Sequence, residues 1–420
     1  MLAAHIKFVY ALKVVTDISK TWEKLDSCLA CSSTKLEEIL NLGPQALANN
    51  YTLEKCEQDK YPLALNLCLT CFHSQLNIAI LPEMLFKHYS YVSGTSTTLA
   101  NYFLRFKKKI IGEHGASGKI LDIGSNDGSF LANFAKTEWV GLGVDPAYNL
   151  IPESIKRGVI TVPVFFDERV TKFLADDFDV VIAMNVFAHT SNPSAMLKSI
   201  SSIIKPEGHI YIQTSQADMF FTGQFDTVYH EHISFFNVNS MRQLLRANGL
   251  RLVDVTIEDI HGGSYLWKIQ KGTGITNLVF ERELKEKSLG LYEKRTYLRF
   301  KEKSLEIVER VKSTIELFRN DGYTIASYGA AAKGNTFLNF SEIALDYIFD
   351  DTPQKIGRYA PAGGCIVSSP SILAGINSPM IIIIPAWNFS AEIVEKIREY
   401  RTGFEDYYLQ YFPDFTINKL

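Results

Sequence analysis

No stretch constrains this chain more than Lys119-Ile-Leu-Asp-Ile-Gly-Ser-Asn-Asp-Gly-Ser-Phe-Leu131, which reads as a strand, a glycine turn and the start of a helix. Glycines let the backbone approach a ligand closely, and a helix beginning there turns its N-terminus towards that ligand. A dinucleotide-binding turn would read G-x-G-x-x-G. Here the spacing is Gly124-x-x-x-Gly128, without the middle glycine that makes room for a pyrophosphate. The next strand, Trp139-Val-Gly-Leu-Gly-Val-Asp145, ends in an acid placed to accept both ribose hydroxyls of a nucleoside. An amphipathic helix over 99–111 precedes this unit. A third strand, over 178–184, leads into Asn185-Val-Phe-Ala-His189. A helix over 196–204, the turn Lys205-Pro-Glu-Gly208 and a strand over 209–213 follow. Strands alternating with helices, with acids at strand ends, predict an α/β fold with a doubly wound sheet.

Five of the six cysteines lie ahead of this unit, and four form the pairs Cys28-Leu-Ala-Cys31 and Cys68-Leu-Thr-Cys71. A C-x-x-C turn aims two thiolates at one point, and two such turns make the tetrahedral S4 set that Zn²⁺ favours. Such a set is closed, so the zinc is expected to be structural. Cys56 is left over as a buried or free thiol, and Tyr61-Pro-Leu-Ala-Leu-Asn-Leu67 reads as a strand feeding the second pair. Residues 1–20 show no export-signal pattern and read as an N-terminal extension without assigned function. Thiols are then expected to stay reduced in a cytoplasmic protein. The formal net charge of −3 gives no reason to expect nucleic acid or an anionic membrane as partner, and runs such as Met380-Ile-Ile-Ile-Ile-Pro385 are too short to span a bilayer.

Past the middle of the chain, Asp226-Thr-Val-Tyr-His-Glu-His232 sets Tyr229, His230, Glu231 and His232 side by side, ahead of the apolar run Ile233-Ser-Phe-Phe236. Two imidazoles, a carboxylate and a phenol are the inventory for moving protons. One isolated histidine is more often a satisfied polar residue; four such groups in a row point to a site. Both histidines offer metal ligands as well. The His-Glu-x-x-His pattern of a metalloprotease needs histidine at position 234, which is Ser234. The stretch is therefore read as acid/base chemistry.

The last third begins with a long amphipathic helix whose apolar stripe, Leu291, Leu298, Leu305, Val308, Val311, Ile315 and Phe318, is expected to be core. It ends at Asn320-Asp-Gly322. A second α/β unit follows, with strands at Thr324-Ile-Ala-Ser-Tyr328, Leu345-Asp-Tyr-Ile-Phe-Asp-Asp351 and residues 379–385. Gly329-Ala-Ala-Ala-Lys-Gly-Asn-Thr336 is a small-residue turn entering a helix. Lys333 there suits a phosphate on a helix N-terminus, and a plain tight strand–helix junction explains the turn equally well.

With Asp145, the Asn185–His189 strand end and the Lys-Pro-Glu-Gly turn, the glycine turn resembles a class I S-adenosylmethionine-dependent methyltransferase. The resemblance implies that Asp122, Gly124, Asn126 and Gly128 hold the methionine part, that Asp145 holds the ribose, and that Phe166, Asp167 and Asn185 complete the cofactor contacts. The order of the whole chain, zinc knuckles, methyltransferase sheet, Tyr-His-Glu-His, then Tyr328-Gly-Ala-Ala-Ala-Lys-Gly-Asn335 with Asp350-Asp351, is similar to that of nucleotide-sugar C-methyltransferases of deoxysugar biosynthesis. The likeness runs from about Thr21 to the C-terminus and includes His88-Tyr-Ser-Tyr91, Gly262-Gly-Ser264 and Pro385-Ala-Trp-Asn-Phe389. It departs in the first twenty residues and at Gln213-Thr-Ser-Gln-Ala217, where a more apolar, proline-containing approach is expected.

The implied architecture is an extension (1–20), a zinc module (21–75), a methyltransferase domain (76–270), and a helical linker with a Rossmann-like domain (271–420). The implied reaction methylates a ring carbon, usually C-3, beside the ketone of a dTDP-linked 4-keto-6-deoxyhexose. His232 is the implied base, with Tyr229, Glu231 and His230 beside it, and His189, Tyr91, Lys333 and Asn335 towards the sugar nucleotide. A monomer or weak homo-oligomer is expected. An O- or N-methyltransferase built on the same fold is the alternative. The chemistry fits the residues: a carbon next to a ketone is acidic enough for a positioned neutral imidazole, and a Tyr hydroxyl is a donor for the enolate oxygen.

Overall fold

The computed structural model describes residues 21–89, 91–95, 97–174, 177–215 and 219–420, so the N-terminal extension lies outside the described residues. The central sheet has seven strands. Its parallel part runs Thr161–Val162, Glu138–Val144, Ser117–Ile123, Phe178–Met184, Ile204–Ser215. Ser264–Lys271 and Leu250–Glu258 then add an antiparallel pair. The chain order reverses between Ser117–Ile123 and Phe178–Met184, which opens a crevice at the carboxyl ends of these two strands. Both faces are covered. Leu121, Ile123, Val181 and Ala183 are buried on one side, and Ile120, Val180 and Ile182 pack under the helix Thr97–His114 on the other. Such two-sided burial explains why these strands read as apolar runs rather than as alternating ones.

A second doubly wound sheet has the order Val367–Ser368, Tyr347–Phe349, Thr324–Tyr328, Met380–Ile383, Tyr407–Gln410, Thr416–Lys419, with only the last strand antiparallel. It follows the 27-residue helix Lys294–Asn320. That helix corrects the expected stripe. Leu298 and Leu305 are both 41% exposed, and Leu291 lies in the turn before the helix. The buried face runs instead through Tyr297, Phe300, Ser304, Val308, Val311 and Ile315, a three-and-four spacing in which two aromatic rings and a serine take the places read as leucines.

Two further readings need correction. The glycine turn does not open into an α-helix; it passes through turns into the short 3₁₀ segment Leu131–Phe134. Lys205-Pro-Glu-Gly208 is not a free turn but an irregularity inside the strand Ile204–Ser215, where the register slips between Ile204 and His209. Proline lacks the N–H that a regular ladder needs there.

The four-cysteine set is assembled as its spacing predicts. The sulfurs of Cys28, Cys31, Cys68 and Cys71 lie within 4.8 Å of one another, with Cys28 Sγ–Cys71 Sγ and Cys31 Sγ–Cys68 Sγ both at 3.6 Å. Sulfurs about 2.3 Å from a tetrahedral Zn²⁺ stand roughly 3.8 Å apart, so the cluster fits zinc closely. Cys56 is exposed and free.

Around the cluster, Leu36–Ala46, Lys60–Cys68 and Ser74–Leu76 form an antiparallel sheet, and its fourth strand, Ser234–Phe235, comes from the centre of the chain. The second knuckle reaches the same segment through its carbonyls: Asn237 Nδ2 donates to Phe72 O at 2.6 Å and Asn239 Nδ2 to Cys71 O at 3.1 Å. Zinc thus organises the sheet that holds the segment just after His232. Cys68→Ser is expected to abolish zinc binding and to lower the thermal midpoint steeply, since a structural zinc contributes free energy of the order of a domain's whole margin of about 5–15 kcal/mol. Metal analysis and a melting curve check this; a zinc-free variant of unchanged midpoint would contradict it.

Candidate active site

One cavity of about 1270 Å³ runs between the carboxyl ends of both doubly wound sheets. Single-ligand pockets usually measure about 300–1,000 Å³, so this one has room for a cofactor and a second molecule. Its lining includes a first group, Asp122, Gly124, Asn126, Asp145, Phe166, Asp167 and Asn185, and a second, Tyr91, His189, Tyr229, His232 and Lys333.

The first group is set by the glycine turn. Gly124 has φ +73°, and a Cβ there would sit 2.2 Å from Val186 Cγ2, so both the conformation and the close approach exclude a side chain. Asn126 N donates to Asp145 Oδ2 and Ala147 N to Asp145 Oδ1, each at 2.8 Å, which locks the acid's orientation. The Asn126 side chain is used elsewhere: its Oδ1 accepts from Ser93 N and its Nδ2 donates to Tyr91 O, tying the 91–93 segment to the glycine turn. Asp122 is 4% exposed, and among the described residues no hydrogen bond to its carboxylate contributes to its pKa. Burial, and then the Asp145 carboxylate, push its pKa well above the ordinary value. An acid held this way in a cavity wall is complementary to a cationic ligand. Asp167 also lines the cavity, but its carboxylate caps the short helix Glu168–Thr171 and pairs with Arg169.

The second group turns on His232. Its Nδ1 lies 2.9 Å from Thr227 O, an atom that only accepts, so Nδ1 carries the proton. Nε2 is left with its lone pair and accepts from Tyr229 OH at 2.9 Å. Burial, and then His189, depress the His232 pKa well below its usual value. The His189 ring lies 5.2 Å away, stacks on Phe86, and is itself pushed down to about 4 by burial. The imidazoles beside the cavity are therefore neutral at pH 7, as a general base must be. Glu231 points away from His232. It accepts from Asn49 Nδ2 at 2.6 Å and from Tyr89 OH at 3.1 Å, and burial raises its pKa to about 7.

Three family models tile the chain: a zinc binding domain over 28–86, a methyltransferase domain over 96–255 and a C-methyltransferase C-terminal domain over 259–407. C-methyltransferase NovU of Streptomyces niveus is 28% identical over 395 residues, 90% of this chain and 93% of that protein. The chain is an S-adenosylmethionine-dependent methyltransferase, similar over most of its length to a C-methyltransferase. A ubiquinone biosynthesis O-methyltransferase of Coxiella burnetii is 26% identical over 155 residues, covering 33% of this chain and 65% of its own length. Among solved structures, magnesium protoporphyrin IX methyltransferase from Synechocystis PCC 6803 with bound SAM overlays 41% of this chain and 79% of its own at 13% identity and a TM-score of 0.33, too loose a likeness to argue from.

Several residues expected at the site of this methyltransferase are not in the cavity wall. Asn335 is 1% exposed and donates through Nδ2 to Ala48 O and Tyr51 OH, both at 2.8 Å, so it binds the zinc module to the helix Ala332–Ser341 instead of facing a ligand. His230 is buried and turned away from the cavity: its Nε2 lies 3.2 Å from Pro62 O and its ring meets Tyr61 edge-on. Gly128 backs onto Ser154 and Val159. Tyr91 and Lys333 do line the cavity, with the Lys333 ammonium over the Trp387 ring at 4.9 Å. Gly329 has φ +110°, and a Cβ there would meet Ala386 Cβ at 3.0 Å, so its turn is a tight junction in its own right. Asn49, Tyr89 and Thr227 were missed. Tyr89 and Thr227 stand inside the motifs quoted above, whereas nothing in the sequence around Asn49 marks it.

The raised acids give a pH signature. Glu231, with an ordinary value of 4.5, lies at about 7 in the folded chain. A folded-state pKa above the unfolded one stabilises fully below the unfolded value, and that contribution is lost as pH rises through the folded value. The neutral, depressed histidines act with the opposite sign, so the variant-minus-wild-type difference is the readout. Between about pH 5 and pH 8, Glu231→Gln should gain thermal midpoint relative to wild type as pH rises. A difference that stays flat across this range would contradict the assignment.

Proposed function

We propose that this enzyme methylates the carbon next to the ketone of a nucleotide-linked 4-keto-6-deoxy sugar, at C-3, with His232 as the base. One observation carries the reading: a neutral imidazole, its tautomer fixed by Thr227 O, holds an unprotonated Nε2 against the Tyr229 hydroxyl in the wall of the cavity that also holds Asp122 and Asp145. In this reading Asp145 accepts from the ribose hydroxyls of S-adenosylmethionine, and Asp122 faces its cationic methionine part. When bound, that cofactor supplies an electrophilic methyl group on a sulfonium.

Substrate entering between Tyr229 and His232 separates the hydroxyl from Nε2. The freed nitrogen takes the proton from the carbon beside the ketone, and the hydroxyl turns to the ketone oxygen, where negative charge develops. His189, neutral and stacked on Phe86, walls the base off from water. The chain then has only to hold the carbanion in line with the methyl group, a matter of positioning. Lys333 and Tyr91 are proposed to face the sugar nucleotide.

Methylation of oxygen is the second reading. The O-methyltransferase relative matches 155 residues, whereas the relative that spans the chain and the model that matches 259–407 are both C-methyltransferases, which favours carbon.

The test is turnover of a dTDP-linked 4-keto-6-deoxyhexose with the product's methyl group located by NMR. His232→Gln keeps size and hydrogen bonding but takes no proton, and turnover should fall by about a hundredfold to ten-thousandfold. His230→Gln, facing Pro62, should change it little; the reverse order of effects would contradict the assignment of the base. Asp145→Ala should weaken S-adenosylmethionine binding by roughly 1.5–3 kcal/mol in calorimetry, and an unchanged Kd would mean that another acid holds the ribose.

A further inference from the structure

The stretch that carries His232 begins at Asp226, and the chemistry proposed above leaves that residue unused. Its carboxylate is completely buried. Oδ1 has no hydrogen-bond partner, while Oδ2 accepts two long bonds, from Trp387 Nε1 at 3.4 Å and from Tyr411 OH at 3.3 Å. A carboxylate so thinly provided for is costly to bury and calls for an explanation.

Its surroundings supply one. Trp387 opens the 3₁₀ turn Trp387–Phe389 beyond the strand Met380–Ile383, and Tyr411 follows the strand Tyr407–Gln410, so both donors belong to the C-terminal sheet. The neighbouring Phe225 packs against Phe337, Phe340 and Phe412 of the same part of the molecule. The C-terminal sheet thus grips the turn Phe225–Thr227. That turn ends in Thr227, whose carbonyl accepts a hydrogen bond from His232 Nδ1.

We infer that Asp226 is a positioning residue: through Trp387 and Tyr411 it fixes the Thr227 carbonyl, and thereby the tautomer and aim of the His232 imidazole. The inference rests on His232 being the base. It also gives the C-terminal sheet a part in the chemistry without a side chain at the reacting atoms. Partners that orient an imidazole from behind are worth about ten- to a hundredfold at metal sites, and misplacement by about an ångström costs similarly in catalysis.

The experiment uses the full zinc-loaded chain with S-adenosylhomocysteine. It reads the His232 ring nitrogens by ¹⁵N NMR, then kcat and KM on a dTDP-linked 4-keto-6-deoxyhexose. Wild type should show a single Nδ1–H tautomer. Asp226→Ala should mix in the Nε2–H tautomer and lower kcat by about ten- to a hundredfold, with KM and cofactor Kd unchanged. Asp226→Asn keeps an acceptor for both donors and should restore most of the loss. A Trp387→Phe/Tyr411→Phe double variant removes the donors and should reproduce the tautomer mixing; it decides the matter if Asp226→Ala loses zinc or unfolds. A single unchanged tautomer and unchanged kcat in the folded variants would overturn the inference. If His232→Gln itself keeps full turnover, it is the reading of the base that fails, and the NMR arm still reports whether Asp226 sets the ring.

Discussion

The antiparallel pairing of Ser234–Phe235 with Ser74–Gln75 is the contact on which the site depends. It is two residues long and would not hold alone. It persists because Ser74 lies three residues beyond the zinc ligand Cys71 and because Ser234 Oγ and His73 Nε2 lie 3.3 Å apart beneath it. One residue before the pair is Ile233, fully buried, and one before that is His232. The four zinc ligands are not among the residues that line the cavity, yet they fix the sheet against which His232 is placed. Structural zinc here acts as a splint for the loop that carries His232.

The same loop is held from two other directions. Asn49, carried by the zinc module, donates to Glu231, and Ala48 and Tyr51 on either side of it bind Asn335 at the start of the C-terminal helix. Tyr51 OH donates to Ala330 O in the adjoining glycine turn at 2.5 Å. From the methyltransferase sheet, Asn126 ties down the 91–93 segment, and Tyr89 just before it reaches Glu231. Glu231 is a meeting point rather than a partner of His232. Its burial beside two donors explains how a carboxylate can sit one residue from His232 without charging that imidazole.

Much of this was legible in the sequence for definite reasons. Strands buried on both faces announce themselves as apolar runs, which is how 119–123, 178–184 and 324–328 could be placed. Paired C-x-x-C turns have few other uses. What failed were readings that depend on where a side chain points. The histidines at 230 and 232 alternate across an irregular backbone, so one faces Pro62 and the other the cavity, and no local rule separates them. Asn335 looked like a ligand contact because it follows a glycine turn, but the zinc module takes its amide. Leu298 and Leu305 misled because their seven-residue spacing mimics a core stripe, while the aromatic pair Tyr297 and Phe300 faces inward. Asn49 was invisible, since its role exists only once three parts of the chain converge.

The central claim is that a neutral, oriented imidazole makes a carbanion before any methyl group moves. It is tested most directly by incubating wild-type enzyme in D₂O with a dTDP-linked 4-keto-6-deoxyhexose and S-adenosylhomocysteine, so that deprotonation is possible and transfer is not. Deuterium should enter at the carbon beside the ketone at an enzyme-dependent rate. No enzyme-dependent exchange there, with a methyl group appearing on a sugar oxygen once S-adenosylmethionine is supplied, would contradict the account.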